Sequence, residues 1–255
     1  MKRMIMIHQF FYKDLWKDFN LYIDKNKFTT ISGPNNCGKT TLMRILNRDI
    51  ITDNMILIDE KDINDYSIGE FSSTVQGVFP LEIIFQEKTV EEEIALYNIN
   101  REEVGEIIKG LNISSTVKKQ VKNLTVEEIV LVQIALALLK KPKIVLLDNI
   151  HPYLKERTKE VLEFLKKYQE KYELTMVQTT IHLEDSLPTD ALYIFENGMI
   201  ALEGKPIEVL ENDTRINKIG LELPFMMDLS VKLRDYDLID TIELDKERLV
   251  DSLWQ

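Results

Sequence analysis

GPNNCGKTT, residues 33–41, follows the β-branched, apolar run FTTIS (28–32) and precedes LMRILN (42–47), whose apolar positions recur at helical spacing. Strand, glycine-bounded loop and helix, in that order, form the context that the pattern G-x-x-x-x-G-K-[ST] requires. Glycines at the two ends, Gly33 and Gly38, let backbone N–H groups converge on phosphate oxygens, and the helix that follows adds the positive end of its dipole. In such a loop Lys39 reaches the terminal phosphates and Thr40 holds Mg²⁺. Asn35, Asn36, Cys37 and Thr41 complete the candidate binding segment. The plainer alternative, a glycine turn that caps a helix, does not require a lysine and a hydroxyl at these two positions.

Ahead of the loop, residues 5–12 and 19–23 read as strands. Beyond it, strand patterns recur at 55–59, 73–79, 175–179, 191–195 and 199–202, and Asn197-Gly198 marks a hairpin between the last two. KIVLLD, residues 143–148, is a continuous apolar run ending in a carboxylate, as in a buried parallel strand. Asp148 is there the natural second Mg²⁺ group, with a helix cap as the alternative. Residues 89–97 open with Thr89 and an acidic first turn, a helix start. Residues 126–139 are apolar on most helical faces and stop before Pro142. Val161, Leu162, Leu165 and Tyr168 give 155–172 one apolar face. The alternation predicts an α/β fold built around a P-loop. After about residue 210 the pieces become short and amphipathic, 225–233 and 246–254 among them, which suggests a small accessory domain over 211–255.

At 255 residues the chain can bury an ample core without disulfides, and its single cysteine, Cys37, suits a reducing compartment. A net charge of −11 opposes the phosphates of nucleic acid, so DNA or RNA is not an expected partner. The longest nearly apolar run, 129–139, is about half of the ~20 residues a membrane-spanning helix needs. Residues 4–7 lack a signal-peptide layout, so a soluble chain is expected.

Nearly the whole chain resembles an ATP-binding cassette (ABC) ATPase, and most closely the energy-coupling factor (ECF) type that powers micronutrient uptake. QFFYK places Tyr12 like the aromatic that stacks on adenine. TVEEEIAL (89–96) resembles the helix after the glutamine loop, and KKPKIVLLD (140–148) the Walker B approach. ENGMIALEGKPIEVL (196–210) resembles the late hairpin and helix, and TRINKIGLELPFMMDLSVKLRD (214–235) the C-terminal extension of ECF ATPases. The resemblance implies a RecA-like core with an antiparallel β subdomain, a helical subdomain over about 80–126, and bound ATP and Mg²⁺. It also implies a second ATPase subunit, a transmembrane coupling subunit, and a place on the cytoplasmic face of the cell membrane.

Departures from the family pattern cluster at the chemistry. The LSGGQ signature should lie 24 residues before the Walker B aspartate, and at that distance from Asp148 stands Leu124, opening LTVEE. Thr125 keeps a hydroxyl, expected to face a partner's nucleotide, but Val126 and Glu127 replace both glycines. A carboxylate about 4 Å from a phosphate costs several kcal/mol at intermediate dielectric. Asn149 occupies the place of the catalytic glutamate; an amide can hold a water but cannot take its proton. Pro80 stands in the glutamine loop and Lys155 at the D-loop aspartate. The switch histidine falls on Thr180, with His182 two residues on, and both assignments remain open. These departures imply an ATP-binding subunit with weak or absent hydrolysis, in a heterodimer rather than a homodimer. A competent ATPase using partner-supplied groups, and a regulatory or scaffold protein outside transport, are the alternatives.

Overall fold

The computed structural model describes residues 2–80, 82, 85–97 and 100–254. β1 (Arg3–Tyr12) and β2 (Trp16–Asp24) pair antiparallel, with Ile5, Ile7, Leu21 and Ile23 on the buried face. Strict alternation would turn Phe10 outward. A register shift between Ile7 and Phe10, with Gln9 at φ 48°, inserts one residue and returns Phe10 to the core.

β3 (Phe28–Ser32) leads through the glycine loop into α1 (Lys39–Leu46). β4 (Ile56–Ile58) and β5 (Lys61–Asp62) extend the first sheet to the order β2-β1-β4-β5, antiparallel throughout. α2 (Ile68–Thr74) then precedes β6 (Val75–Val78). The strand expected over 73–79 therefore loses its first two residues to a helix. Ser67 and Glu70 form a reciprocal capping box that starts α2, and this local signal outweighs the β-branched run around Thr74.

α3 (Val90–Ala95), α4 (Arg101–Gly110) and α5 (Val126–Leu139) are followed by β7 (Ile144–Asp148), α6 (His151–Leu154), α7 (Thr158–Tyr172) and β8 (Thr175–Thr180). Lys155 to Arg157 form a 3-10 turn, so the helix expected from residue 155 begins at Thr158. β9 (Ala191–Glu196) and β10 (Met199–Gly204) make the Asn197-Gly198 hairpin, both turn residues having positive φ. The second sheet has the order β10-β9-β3-β8-β7-β6 and is parallel from β9 to β6. α8 (Pro206–Leu210), α9 (Asp213–Ile219), α10 (Phe225–Asp235) and α11 (Lys246–Leu253) close the chain.

The period-2 geometry of β7 divides the interior. Val145 and Leu147 face a core built on α5, whereas Ile144 and Leu146 face a core shared with α1 and the antiparallel sheet. This explains why α5 is apolar all round: from Val130 to Leu139 all its residues but Gln133 are buried. A third cluster joins Leu192 and Ile194 of β9 to Val209, Ile216, Met227 and Val231, so the C-terminal helices pack on the sheet. Among the described residues no helix is long and apolar enough to cross a membrane.

Candidate functional site

Strand register brings the candidate residues to one edge. Ser32 pairs with Thr180, and Thr179 with Asp148, so the loop leaving β3 emerges beside the ends of β7 and β8. Ligands of open parallel sheets lie outside these carboxyl ends. Within the loop, Gly38 has φ 103°, and a Cβ there would lie 2.7 Å from the Trp16 ring. A Cβ on Gly33 would lie 2.5 Å from the Phe195 carbonyl oxygen. Asn36, where glycine is usual, has φ 63°, a left-handed conformation that asparagine tolerates better than other side chains. Cys37 is buried against the second core. Asn35 and Asn36 are exposed on the open side of the loop.

Lys39 Nζ donates to the carbonyl oxygens of Gly33 and Pro34 at 2.6 and 2.9 Å. Burial lowers its pKa, with nearby Cys37 and Asp148 acting in the opposite sense. A desolvated ammonium held only by neutral carbonyls at short range is a ready partner for an anion. No side chain caps α1, whose N-terminal N–H groups follow Gly38 directly. Thr41 is half-buried in its first turn.

Thr40 Oγ1 donates to Asp148 Oδ1 at 3.3 Å, and Thr179 Oγ1 donates to the same oxygen at 2.6 Å. A hydroxyl and a carboxylate thus converge as an oxygen-only donor pair, which fits a hard cation completed by phosphate and water oxygens. Among the described residues there is no group of three or more His, Cys, Asp or Glu that could hold a metal by itself. Tyr12 ends β1 opposite Trp16, their ring centroids 6.1 Å apart, and Trp16 underlies Gly38. The aromatic ledge therefore adjoins the loop.

Asn149 follows Asp148 at φ 49°, its N–H donating to the carbonyl and hydroxyl oxygens of Thr179 at 3.1 and 3.0 Å. Its Oδ1 is buried without a partner, an acceptor aimed at no protein donor. Pro80 is buried at the end of the strand region. Lys155, exposed, turns the chain at φ 50°.

LTVEE lies apart from the phosphate loop, at the start of α5. Thr125 is its N-cap and forms a reciprocal box with Glu128, whose carboxylate also accepts from Thr116 and Lys119. Glu127 pairs with Arg157 at 3.1 Å, and Arg157 donates to the Leu111 carbonyl at 2.7 Å. The T-x-x-E capping signal was present in the sequence at Thr125 and Glu128. His182 donates its backbone N–H to Thr180 Oγ1 at 3.0 Å, and Thr180 Oγ1 donates to Asp185 at 2.7 Å. His182 also stacks on His151, a residue that no motif singled out.

The sequence model of the ABC transporter family matches residues 16–151, over half of the chain. The chain belongs to this family. The match spans the phosphate loop, Thr125 and Asp148 together. The energy-coupling factor transporter ATP-binding protein EcfA1 of Lactobacillus delbrueckii is 26% identical, covering 93% of this chain and 90% of its own. EcfA of Enterococcus faecium is also 26% identical, over 93% and 90%. Among solved structures, cbiO1 of Clostridium perfringens, part of the ABC transporter complex cbiONQ, has a TM-score of 0.70. It is 24% identical, covers 90% of this chain and 99% of its own, and shares the ABC ATPase fold.

Proposed function

We propose that this ABC ATPase subunit is of the ECF type and binds Mg-ATP with weak or absent intrinsic hydrolysis. The observation that carries this reading is the pairing of Lys39, Thr40 and Asp148 at one sheet edge with Asn149 immediately after Asp148. Gly33, Asn35, Asn36, Cys37, Gly38, Lys39, Thr40 and Thr41 would cradle the phosphates, and Tyr12 would stack on the base. Mg²⁺, held by Thr40 and Asp148, would neutralise phosphate charge. Lys39 orients the terminal phosphates, and Asn149 accepts a hydrogen bond from water without removing its proton. The α5 N-terminus, closed by Glu128, offers a partner's nucleotide fewer free donors than an open helix end.

We further propose a working partnership with a second ATPase subunit, in a heterodimer, and with a transmembrane coupling subunit for micronutrient uptake. What supports a place in a transporter complex is that the relatives are named energy-coupling factor transporter ATP-binding proteins and that cbiO1 is part of a transporter complex. The chain would then sit on the cytoplasmic face of the membrane. We assign residues 1–210 to the nucleotide-binding domain, with the helical subdomain at about 80–126, and 211–255 to a small accessory domain.

Thermal unfolding with and without Mg-ATP tests the reading. At a hundred times its Kd the ligand stabilises by about 2.7 kcal/mol. Lys39→Ala should abolish the shift, and purified chain should show little steady-state turnover. An unmoved melt in the natural chain refutes nucleotide binding. Turnover in an assembled complex that disappears with Lys39→Ala in this chain alone would show a competent ATPase instead.

A further inference from the structure

Beside the phosphate loop a cleft of about 1010 Å³ runs between the sheet edge and the C-terminal helices. One end is lined by Pro34 and Asn35 of the loop and by the rings of His151 and His182. The two rings stack with centroids 3.8 Å apart and planes 20° apart. Behind them, His151 Nδ1 lies 2.9 and 3.0 Å from the two carboxylate oxygens of Asp185, which is buried. Thr180 Oγ1 donates to the same carboxylate at 2.7 Å and accepts the N–H of His182 at 3.0 Å. Thr180, at the end of β8, and His182 and Asp185, just after it, thus fix the imidazole of His151 at the start of α6. Its Nδ1 is committed to Asp185, which leaves Nε2 as its free nitrogen.

We propose that His151 contacts the terminal phosphate of the bound nucleotide and so distinguishes a nucleoside triphosphate from a diphosphate. The inference rests on the reading of the phosphate loop as a nucleotide site. Lys39 Nζ, the group that meets the outer phosphates, lies 2.9 Å from the Pro34 carbonyl, and Pro34 shares the cleft with the histidine pair. A chain of phosphates leaving the loop on its open side enters this space. Glu184, Glu222 and Asp228 also line it, but carboxylates cannot donate to a phosphate. Lys232 could, yet it is paired with Asp228 at 2.5 Å. With Nδ1 turned to Asp185, the second ring nitrogen of His151 is the one left for the cleft, where an N–H on it would donate to an anion. Asp185 and His182 act as positioning residues, the first by hydrogen bonding and the second by stacking.

The test measures ATP and ADP affinities, with Mg²⁺, on the full chain by calorimetry. The natural chain should prefer ATP. His151→Ala should lower ATP affinity about tenfold or more, the worth of one hydrogen bond to a charged group, and leave ADP affinity within about twofold. His151→Gln, which retains an N–H near Nε2, should recover part of the preference. Retained ADP binding shows that each variant is folded. Where His151→Ala does not fold, His151→Leu takes its place, keeping an apolar surface under His182 without an N–H donor. Unchanged ATP affinity, or an equal fall for ATP and ADP, overturns the inference while leaving nucleotide binding intact. Failure of the natural chain to bind either nucleotide overturns both readings.

Discussion

Thr125 Oγ1 accepts the backbone N–H of Glu128 at 3.2 Å, and the Glu128 carboxylate accepts the N–H of Thr125 at 3.1 Å. The start of α5 is therefore closed by its own chain. Removing the hydroxyl in Thr125→Ala orphans the Glu128 N–H, and we expect a loss of about 1 kcal/mol in urea unfolding. An unchanged midpoint would show that the cap contributes nothing at this site.

Gly38 approaches the indole of Trp16 so closely that a Cβ would lie 2.7 Å from its Cζ2, at a φ of 103°. Gly38→Ala must both strain the backbone and displace a buried ring. We expect it to cost roughly 1–3 kcal/mol and to remove the Mg-ATP shift, read in one thermal unfolding series.

Asn149→Glu introduces a proton acceptor beside Asp148. General-base assistance contributes about 10²–10⁴-fold where it operates, so single-turnover ATP cleavage should rise at least about tenfold over the natural chain. Its φ of 49° suits asparagine better than glutamate, so the variant should also be less stable by about 1 kcal/mol. Cleavage no faster than in the natural chain would mean that a proton acceptor at this position does not limit cleavage.

Asp59 joins the two sheets by pairing with Lys143 at 2.6 Å and Lys25 at 2.9 Å. The Lys143 hydrogen bond, followed by that of Lys25, holds its carboxyl below the ordinary range against the opposing effect of burial. A depressed carboxyl pKa gives stability that is complete above the unfolded value of about 3.9 and is lost as pH falls through the folded one. Asp59→Asn should therefore be less stable at pH 7 but lose less stability between about pH 5 and pH 2. Urea midpoints measured across that range check the sign.

Local signals account for how far the sequence could be read. The Asn197-Gly198 pair fixed its own hairpin, and the continuous apolar run before Asp148 matched a strand buried on both faces. At Ser73 and Thr74 the β-branched composition pointed to a strand, while the box between Ser67 and Glu70 carried the helix through them. LTVEE shows the same conflict in another form: its divergence from a family motif concealed a capping signal present in the same letters.

By itself the sequence determined the phosphate loop, because a glycine-bounded turn between an apolar strand and an amphipathic helix depends on residues adjacent in the chain. Only the tertiary structure decided that Asp148 meets Thr40 across 108 positions and that His151, Asp185 and His182 form one cluster. Those distances are set by the register of three parallel strands, and that register comes from packing the two faces of β7 into different cores. Three residues scattered between 151 and 185 carry no mark of that packing in their order alone.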